Sequence, residues 1–254
     1  MGKVMAVANQ KGGVGKTTTA INVAACLGKK GNKVLILDTD PQGNTTSGFG
    51  INKQELTLTS YDIILGETRI SDIIIKTKFK NVDIVPASIS LAAAEIELAE
   101  QKDRLSKIRN ALAPIKDNYD YIIIDCPPSL GLITLNALGS ADSIIMPIQC
   151  EYYALEGLSQ LMDTVRRVKK TSNPNIEVEG VLLTMYDGRL NLTLQVADNV
   201  KKYFKDKVFK TVIPRNVRLS EAPSFGQPII YYDGASKGAT AYMDLTKEII
   251  KNNK

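Results

Sequence analysis

The chain has 254 residues, of which 44 % are hydrophobic and 23 % are charged, a balance typical of a compact globular protein. It contains no histidine, which excludes any mechanism with imidazole as base, nucleophile or metal ligand. No apolar run approaches the roughly 18 to 20 residues that a membrane-spanning helix needs. The net charge of +5 is modest, so its distribution along the chain is more informative than its size.

Cysteine usage indicates the compartment. Cys26, Cys126 and Cys150 are an odd number of widely spaced thiols, and no Cys-x-x-Cys pair occurs. This pattern favours reduced thiols over a disulfide framework. The first residues lead directly into a strand-like run and have no signal-peptide layout. We therefore expect a cytoplasmic protein.

Short β-branched runs alternate with helical patterns along the chain. The strand-like runs are residues 4–8, 34–37, 82–86, 121–125, 143–148, 178–184 and 208–213. Apolar residues at three- and four-residue steps predict helices within 20–27, 91–112, 155–168, 192–204 and 235–251. The alternation predicts an α/β fold with a doubly wound, mostly parallel sheet and helices on both faces. We find no repeat or linker and predict a single domain over residues 1–254. We expect the last helix to pack against the sheet.

A glycine-rich loop follows the first predicted strand. Residues 9–19 are Asn-Gln-Lys-Gly-Gly-Val-Gly-Lys-Thr-Thr-Thr, a variant of the usual Gly-x-x-x-x-Gly-Lys-Ser/Thr phosphate loop. Its glycines let several backbone N–H groups point at one anion, and the following helix N-terminus adds partial positive charge. The pattern predicts that Lys16 binds the β- and γ-phosphates and that Thr17 binds Mg²⁺. The residues expected to contact nucleotide here are Lys11, Gly12, Gly13, Val14, Gly15, Lys16, Thr17 and Thr18.

Two further predicted strands end in aspartates. Asp38 and Asp40 follow the second strand, and Asp125 ends the fourth. In a doubly wound sheet these positions lie beside the phosphate loop. Because Mg²⁺ prefers oxygen ligands and keeps several waters, we predict that Asp125 holds it through water. Asp40, which precedes a Pro-Gln-Gly turn, is predicted to orient or activate the attacking water. For Asp38, a functional role at this site and a structural hydrogen-bonding role are equally compatible with the sequence.

These motifs together resemble one family. The Lys-Gly-Gly-x-Gly-Lys-Thr loop at 11–17 resembles the deviant Walker A box of the ParA/MinD class of ATPases. Asp-x-Asp-Pro-Gln-Gly-Asn at 38–44 and Asp-Cys-Pro-Pro-Ser-Leu-Gly at 125–131 resemble its two switches. Similarity continues through 149–157, 180–185 and 213–223, and is strongest to the chromosomal ParA (Soj-type) partitioning ATPases. The resemblance implies a P-loop NTPase that hydrolyses ATP with Mg²⁺.

The resemblance also implies roles for single residues. Lys11 would act in catalysis by reaching the nucleotide of the opposite subunit in an ATP-dependent homodimer. Gly12 would be small because two phosphate loops approach each other in that dimer. The Pro-Arg-Asn loop borders the adenine in this family, which implies that Pro214 and Asn216 lie there. Met185 would pack on the base or, with equal weight, be an ordinary core methionine.

The positive charge is concentrated in one stretch. Residues 186–218 contain eight Lys/Arg and three Asp/Glu, whereas the remainder of the chain is balanced at 24 of each. A solvated helix face is the usual fate of such lysines. As a group, however, they favour sequence-independent contacts to DNA phosphates, which the family resemblance also implies. The candidates are Arg189 and Arg218, followed by Lys201, Lys202 and Lys237.

The resemblance implies partners as well as a fold. They are a second copy of the chain, non-specific double-stranded DNA, a ParB-type centromere-binding protein and, in some members, the replication initiator. This would make the protein a nucleoid-associated cytoplasmic ATPase in chromosome or plasmid partitioning. Two alternatives remain: a MinD-type membrane-surface positioning protein and a ligase-like enzyme that uses ATP to activate a carboxylate. No stable membrane association is expected, because no basic amphipathic tail is visible.

Overall fold

A computed structural model describes residues 2–253 and contains one seven-stranded sheet. The strands are β1 (Lys3–Val7), β2 (Val34–Asp38), β3 (Ile75–Lys76), β4 (Val82–Val85), β5 (Tyr121–Asp125), β6 (Ser143–Gln149) and β7 (Glu177–Thr184). Their order is β3-β4-β2-β5-β1-β6-β7, and every pairing is parallel except β3 with β4. The loop after β1 therefore leaves the middle of the sheet, between β5 and β6.

Helices cover both faces of this sheet. They are α1 (Lys16–Lys29), α2 (Asn44–Gly48), α3 (Ser60–Leu65), α4 (Leu91–Ala99), α5 (Lys107–Leu112), α6 (Leu132–Ser140), α7 (Ala154–Thr171), α8 (Asn191–Phe204), α9 (Val217–Glu221), α10 (Ile229–Tyr232) and α11 (Lys237–Asn252). Successive strand residues alternate between two cores. Met5, Ile36 and Ile123 pack with α1 and α11, whereas Val4 and Ile122 pack with the helices from α3 to α8. The predicted fold class is confirmed, and the consecutive apolar runs are explained by burial on both faces.

The last helix follows its sequence prediction. Tyr242, Leu245 and Ile249 of α11 are buried in the same core as α1 and the strands. Its apolar face is therefore occupied within the chain. Within residues 2–253 we find no helix that combines the length and the hydropathy needed to cross a membrane.

The predicted strand at 208–213 is wrong. That segment runs beside β7 and makes only single bridges, Val181 with Val208 and Tyr186 with Pro214. The backbone N–H groups of Lys210 and Thr211 donate instead to the carboxylate of Glu248 on α11, at 2.8 and 3.1 Å. The side chain of another helix thus replaces the ladder that a seventh parallel strand would need.

The single helical pattern at 91–112 is also wrong, because it forms two helices, α4 and α5. Asn136 of α6 stabilises the break between them. Its amide donates to the carbonyl of Arg104, and its side-chain oxygen accepts from the N–H of Lys107 at 3.0 Å. A tertiary hydrogen bond thus fixes a boundary that apolar spacing does not indicate. The two-residue strand β3 was likewise too short to predict.

Candidate functional site

The loop between β1 and α1 is held by the side chain of Asn9, at its own start, and by that of Thr184, at the end of β7. The Asn9 side-chain oxygen accepts from the N–H of Lys11 at 3.0 Å, and its amide donates to the Pro147 carbonyl at 2.7 Å. The Thr184 hydroxyl donates to the carbonyl of Val14 at 2.8 Å. Gly15 has φ +90°, a left-handed conformation that glycine adopts without steric cost. The roles of Asn9 and Thr184 were not predicted from the sequence, because both depend on contacts between segments that are distant in the chain.

Lys16 is buried at the first turn of α1, and its ammonium donates to the carbonyl of Lys11 at 3.1 Å. Burial lowers the pKa of Lys16, and the nearby Asp125, Cys126 and Asp40 oppose that shift. An ammonium that lies largely out of water is electrostatically suited to a phosphate, since the low dielectric strengthens attraction between opposite charges.

Two buried carboxylates face each other at the ends of neighbouring strands. Asp38 of β2 is the register partner of Asp125 of β5. Helix α2 holds both: Thr46 donates its N–H and hydroxyl to Asp38 at 2.8 and 2.7 Å, and the Thr45 hydroxyl donates to Asp125 at 2.7 Å. Burial raises the pKa of Asp125, and Asp38 raises it further. The pKa of Asp38 is also raised, chiefly by burial. Asp38 therefore has the structural hydrogen-bonding role that the sequence left open.

The donor set at Asp125 fits Mg²⁺. One carboxylate oxygen, Oδ1, is buried without a hydrogen-bond partner in residues 2–253. The Thr45 and Thr17 hydroxyls both act to lower the pKa of this carboxyl, against the effect of burial. A hard cation that accepts carboxylate, hydroxyl and water oxygens would satisfy the free oxygen and favour the charged carboxylate.

Asp40 lies at the turn that follows β2 and is 7 % exposed. Its Oδ1 accepts from the N–H of Gln42 at 3.0 Å, and its own N–H donates to Asp38 at 3.2 Å. These bonds fix the turn and leave the second carboxylate oxygen, Oδ2, with no hydrogen bond within residues 2–253. The side chain therefore has a free acceptor, which the predicted water-orienting role requires, and that role stays a prediction.

A cavity of about 400 Å³ adjoins the phosphate loop. Of the predicted residues, Gly15, Thr18, Met185, Pro214 and Asn216 line it. The side-chain oxygen of Asn216 is buried and has no partner in the described residues, so it can accept from an exocyclic amine. Met185 has φ +49° at the cavity wall, which does not resemble an ordinary core methionine. The sequence did not indicate the other walls, which are Thr184, Ile213, Arg215, Leu219, Ser220, Pro223 and Tyr242.

The side chain of Lys11 is paired with a carboxylate outside the phosphate loop. Its ammonium binds the carboxylate of Glu151, just before α7, at 2.6 Å. Both side chains are partly exposed, at 36 % and 46 %. The predicted trans lysine is therefore held by an ion pair at the surface, and Glu151 is a site residue that the sequence motifs did not identify.

The predicted basic residues do not form one cluster. Arg189 precedes α8, whereas Lys201 and Lys202 lie in its last turn, about 18 Å further along the helix axis. Arg189 is bound by Asp187 at 2.7 Å, and Arg218 by Glu221 at 2.8 Å. Lys237 begins α11, whose next residue, Gly238, packs against Leu219 of α9, beside Arg218. Arg218 and Lys237 thus each adjoin the contact between α9 and α11, whereas Lys201 and Lys202 lie at the C-terminal end of α8.

Comparison with known proteins agrees with this geometry. A family model described as an AAA domain matches residues 2–178. The sporulation initiation inhibitor protein Soj of Bacillus subtilis is 59 % identical over 252 residues, which cover 99 % of this chain and 100 % of that protein. The chromosome partitioning protein ParA of Myxococcus xanthus is 52 % identical, with 100 % of this chain and 89 % of that one covered. Cobyrinic acid a,c-diamide synthase from Mycobacterium smegmatis, solved with ADP and magnesium, has a TM-score of 0.87 at 35 % identity, covering 99 % and 95 %.

The fold and the phosphate loop with its buried Lys16 define a P-loop ATPase. Within that class, the chain belongs to the ParA/MinD family with the deviant Walker A box, in the group of Soj and ParA. The predicted family, fold class and ATPase activity are thereby confirmed.

Proposed function

We propose that the protein is a nucleotide-switched partitioning ATPase. ATP and Mg²⁺ join two copies into a dimer, the dimer binds double-stranded DNA without sequence preference, and hydrolysis releases it. A ParB-type protein stimulates hydrolysis, and the ATPase acts at the nucleoid in the cytoplasm. The names of its relatives ParA and Soj support chromosome partitioning.

The proposed chemistry uses the groups around the phosphate loop. Lys16 and the loop N–H groups of residues 12–18 bind the phosphates, and Thr17 and Asp125 hold the metal, the aspartate through water. Bound Mg²⁺ neutralises charge on the phosphates during transfer. Asp40 positions the attacking water with its free carboxylate oxygen. The observation that supports this assignment best is the buried, unpartnered Oδ1 of Asp125 beside a buried Lys16.

The dimer is supported by Gly12 and Lys11. A Cβ added at Gly12 would meet no atom within 4 Å, and the residue does not have positive φ. Nothing inside the described part of the chain therefore requires glycine there, so we assign the requirement to a facing loop of a second copy. Lys11 lies at the surface on Glu151 and is free to exchange that carboxylate for a phosphate of the partner's nucleotide.

The DNA surface is proposed at Arg189, Arg218 and Lys237. Arg189 is 89 % exposed, and Lys237 occupies the first residue of a helix, where the dipole disfavours a cation but attracts an anion. Lys237 has no ion pair among residues 2–253. Lys201 and Lys202 remain candidates for a separate contact.

The test is DNA retention by Asp40→Ala protein, which should bind ATP without hydrolysing it. We expect binding with ATP, and little binding with ADP or without nucleotide. Arg189→Glu or Arg218→Glu should weaken binding equally on unrelated duplexes, and each lost contact should lower the log–log salt slope by roughly 0.9. Lys30→Glu, at the end of α1, is the matched control. An unchanged DNA affinity and an unchanged salt slope in both arginine variants would show that the DNA surface lies elsewhere.

Sequence identity and the packing of α11 favour partitioning over the two rival functions. The structural match to a synthase gives the ligase-like enzyme some support, but the identity to Soj and ParA is higher, at 59 % and 52 % against 35 %. Against the MinD-type alternative stands α11, whose apolar face is buried. Flotation of the ATP-bound Asp40→Ala protein with anionic liposomes would favour the membrane function instead.

A further inference from the structure

Arg218, a candidate DNA contact on α9, lies between two acidic side chains. Its Nη1 donates to the carboxylate of Glu221 at 2.8 Å, and its Nε lies 3.5 Å from the carboxylate of Asp233. Within residues 2–253, Arg218 is the one cation that has two carboxylates within 4 Å. Lys237, four residues after Asp233, lies within 4 Å of neither carboxylate and so does not relieve Arg218 of them.

A second contact fixes the carboxylate of Glu221. The Tyr232 hydroxyl donates to the same oxygen, Oε2, at 3.3 Å, and the Tyr232 ring stacks on that of Phe225 with centroids 5.0 Å apart. The side chains of Glu221 and Asp233 are only partly exposed, at 37 % and 34 %. A carboxylate that other contacts already hold loses less side-chain entropy on pairing with Arg218, so this pair should be stronger than an ordinary surface ion pair.

Arg189, the other candidate arginine, has the opposite balance of charge. It binds Asp187 through two hydrogen bonds, Nη2 to Oδ2 at 2.7 Å and Nε to Oδ1 at 2.9 Å. Hydrogen bonds from Arg189 lower the pKa of Asp187 to about 2, and the nearby positive charge of Arg215 contributes to the shift. Two cations therefore share one carboxylate at Arg189, whereas two carboxylates share one cation at Arg218.

This difference matters for an approaching phosphate. A guanidinium has five N–H donors, so Arg189 can bind a phosphate with its free edge while it stays on Asp187. At Arg218 the phosphate would meet two negative charges beside the one positive charge, and Coulomb repulsion would oppose its approach. Arg218 can therefore contribute fully to DNA binding only when the two carboxylates are further away.

We propose that Glu221 and Asp233 mask Arg218 in the nucleotide-free chain, and that DNA phosphates bind this arginine after the two carboxylates have moved away from it. The inference rests on the proposed function, because it assigns the regulation of the DNA surface described there. Glu221 and Asp233 are thus positioning residues that act on DNA through Arg218.

The position of α9 offers a route from nucleotide to Arg218. The helix carries Arg218, and its next two residues, Leu219 and Ser220, line the cavity beside the phosphate loop. Asp233 belongs to another segment, directly after α10. A shift of α9 on binding of nucleotide in the cavity would therefore change the distance between Arg218 and Asp233.

The sign of one measurement separates masking from its alternative. If the two carboxylates instead oriented Arg218 towards DNA, removal of their charge would weaken DNA binding. If they mask it, removal of their charge will strengthen DNA binding, and most strongly in the nucleotide-free protein, where Arg218 is still paired.

The test is a DNA titration of protein that carries Glu221→Gln and Asp233→Asn together. Both changes keep the side-chain size and remove the charge. Without nucleotide, at low salt, we expect affinity for a random-sequence duplex to rise roughly fivefold and the log–log salt slope to steepen by roughly 0.9, for one added phosphate contact. With ATP, on the Asp40→Ala background, the rise should be smaller. ATP affinity, measured in parallel, should equal that of the wild type.

Two controls show whether the effect passes through Arg218. Asp163→Asn with Asp244→Asn removes the same charge from two other exposed ion pairs, each at 2.8 Å, and should leave DNA affinity unchanged. On an Arg218→Ala background, the change of Glu221 and Asp233 to amides should give little or no gain, because the cation that they mask is absent.

Each remaining outcome contradicts the inference in a recognisable way. Weaker DNA binding by the double-amide protein would assign the carboxylates an orienting role, and unchanged binding would leave them without a role in DNA binding. An equal gain on the Arg218→Ala background would show direct repulsion of DNA instead of masking. If the protein with intact carboxylates did not bind DNA even with ATP, the proposed function would fail and the masking with it.

Discussion

The nucleotide edge of the sheet and the C-terminal ends of α7 and α8, residues 164–171 and 199–207, use charge in opposite ways. At the nucleotide edge the charges are few and buried, and their positions are fixed by hydrogen bonds, as for Asp38, Asp125 and Lys16. At the helix ends they are numerous and exposed, and most have no ion pair within residues 2–253. A single substitution in the first region should therefore have a large effect. In the second region each exposed charge contributes little by itself, and only their sum is large.

The largest effect is expected from Lys16→Ala. This change removes the buried cation at the phosphates, and we expect loss of about 3 kcal/mol, or roughly hundredfold, in ATP affinity. Equilibrium titration with a fluorescent ATP analogue measures it. Lys29→Ala, at the exposed end of the same helix, should bind as the wild type does. Equal losses in both variants would mean that burial of Lys16 gives it no special role.

Asp125→Asn should affect chemistry and stability in opposite directions. Because burial and Asp38 raise the pKa of Asp125, the folded protein binds protons more tightly than the unfolded chain. Stability of the nucleotide-free protein should therefore fall as pH rises from about 4 into the neutral range. The amide should remove that slope and stabilise the protein by about 1–2 kcal/mol at pH 8, while Mg²⁺-dependent hydrolysis is lost.

Denaturant unfolding at pH 5 and pH 8 checks this prediction, with exposed Asp163→Asn as the control. An Asp125→Asn variant with the wild-type dependence of stability on pH would show that burial does not raise the pKa of this carboxyl in the nucleotide-free protein.

A smaller effect is expected from Glu151→Gln, because the ion pair with Lys11 is partly exposed. Release of Lys11 should favour ATP-dependent association by at most about 1 kcal/mol, or roughly fivefold. Sedimentation velocity at several protein concentrations measures the shift, and Glu156→Gln, in the first turn of α7, serves as the reference. Weaker association in the Glu151 variant would show that Glu151 contributes to the dimer directly.

What the sequence predicted and what it missed follow the same division. Lys16, Thr17, Asp40 and Asp125 belong to contiguous motifs at strand ends, so their spacing locates them beside one another. Glu151, Thr45 and Thr184 act through contacts between segments distant in the chain, which no local pattern records. The basic stretch was found by its net charge, but Arg189 and Lys202 lie at opposite ends of one helix. The lysines and arginines at the end of α7 were missed, because acidic residues elsewhere balance them in the net charge of the chain outside residues 186–218.

The missed fold boundaries have the same cause. Glu248 binds the backbone of Lys210 and Thr211, and Asn136 binds the backbone on both sides of the break between α4 and α5. In each case a side chain from a distant helix decides a local conformation, so hydrophobic periodicity alone predicts the wrong element.

Sedimentation of the Asp40→Ala protein tests most directly whether ATP joins two copies of the chain through Lys11. We predict a monomer without nucleotide or with ADP, and a dimer with ATP and Mg²⁺. Adding Lys11→Ala should keep the protein monomeric although it still binds ATP, whereas adding Lys29→Ala should leave the dimer intact. A dimer of equal stability in the Lys11→Ala protein would contradict the account, because Lys11 would then have no role between subunits.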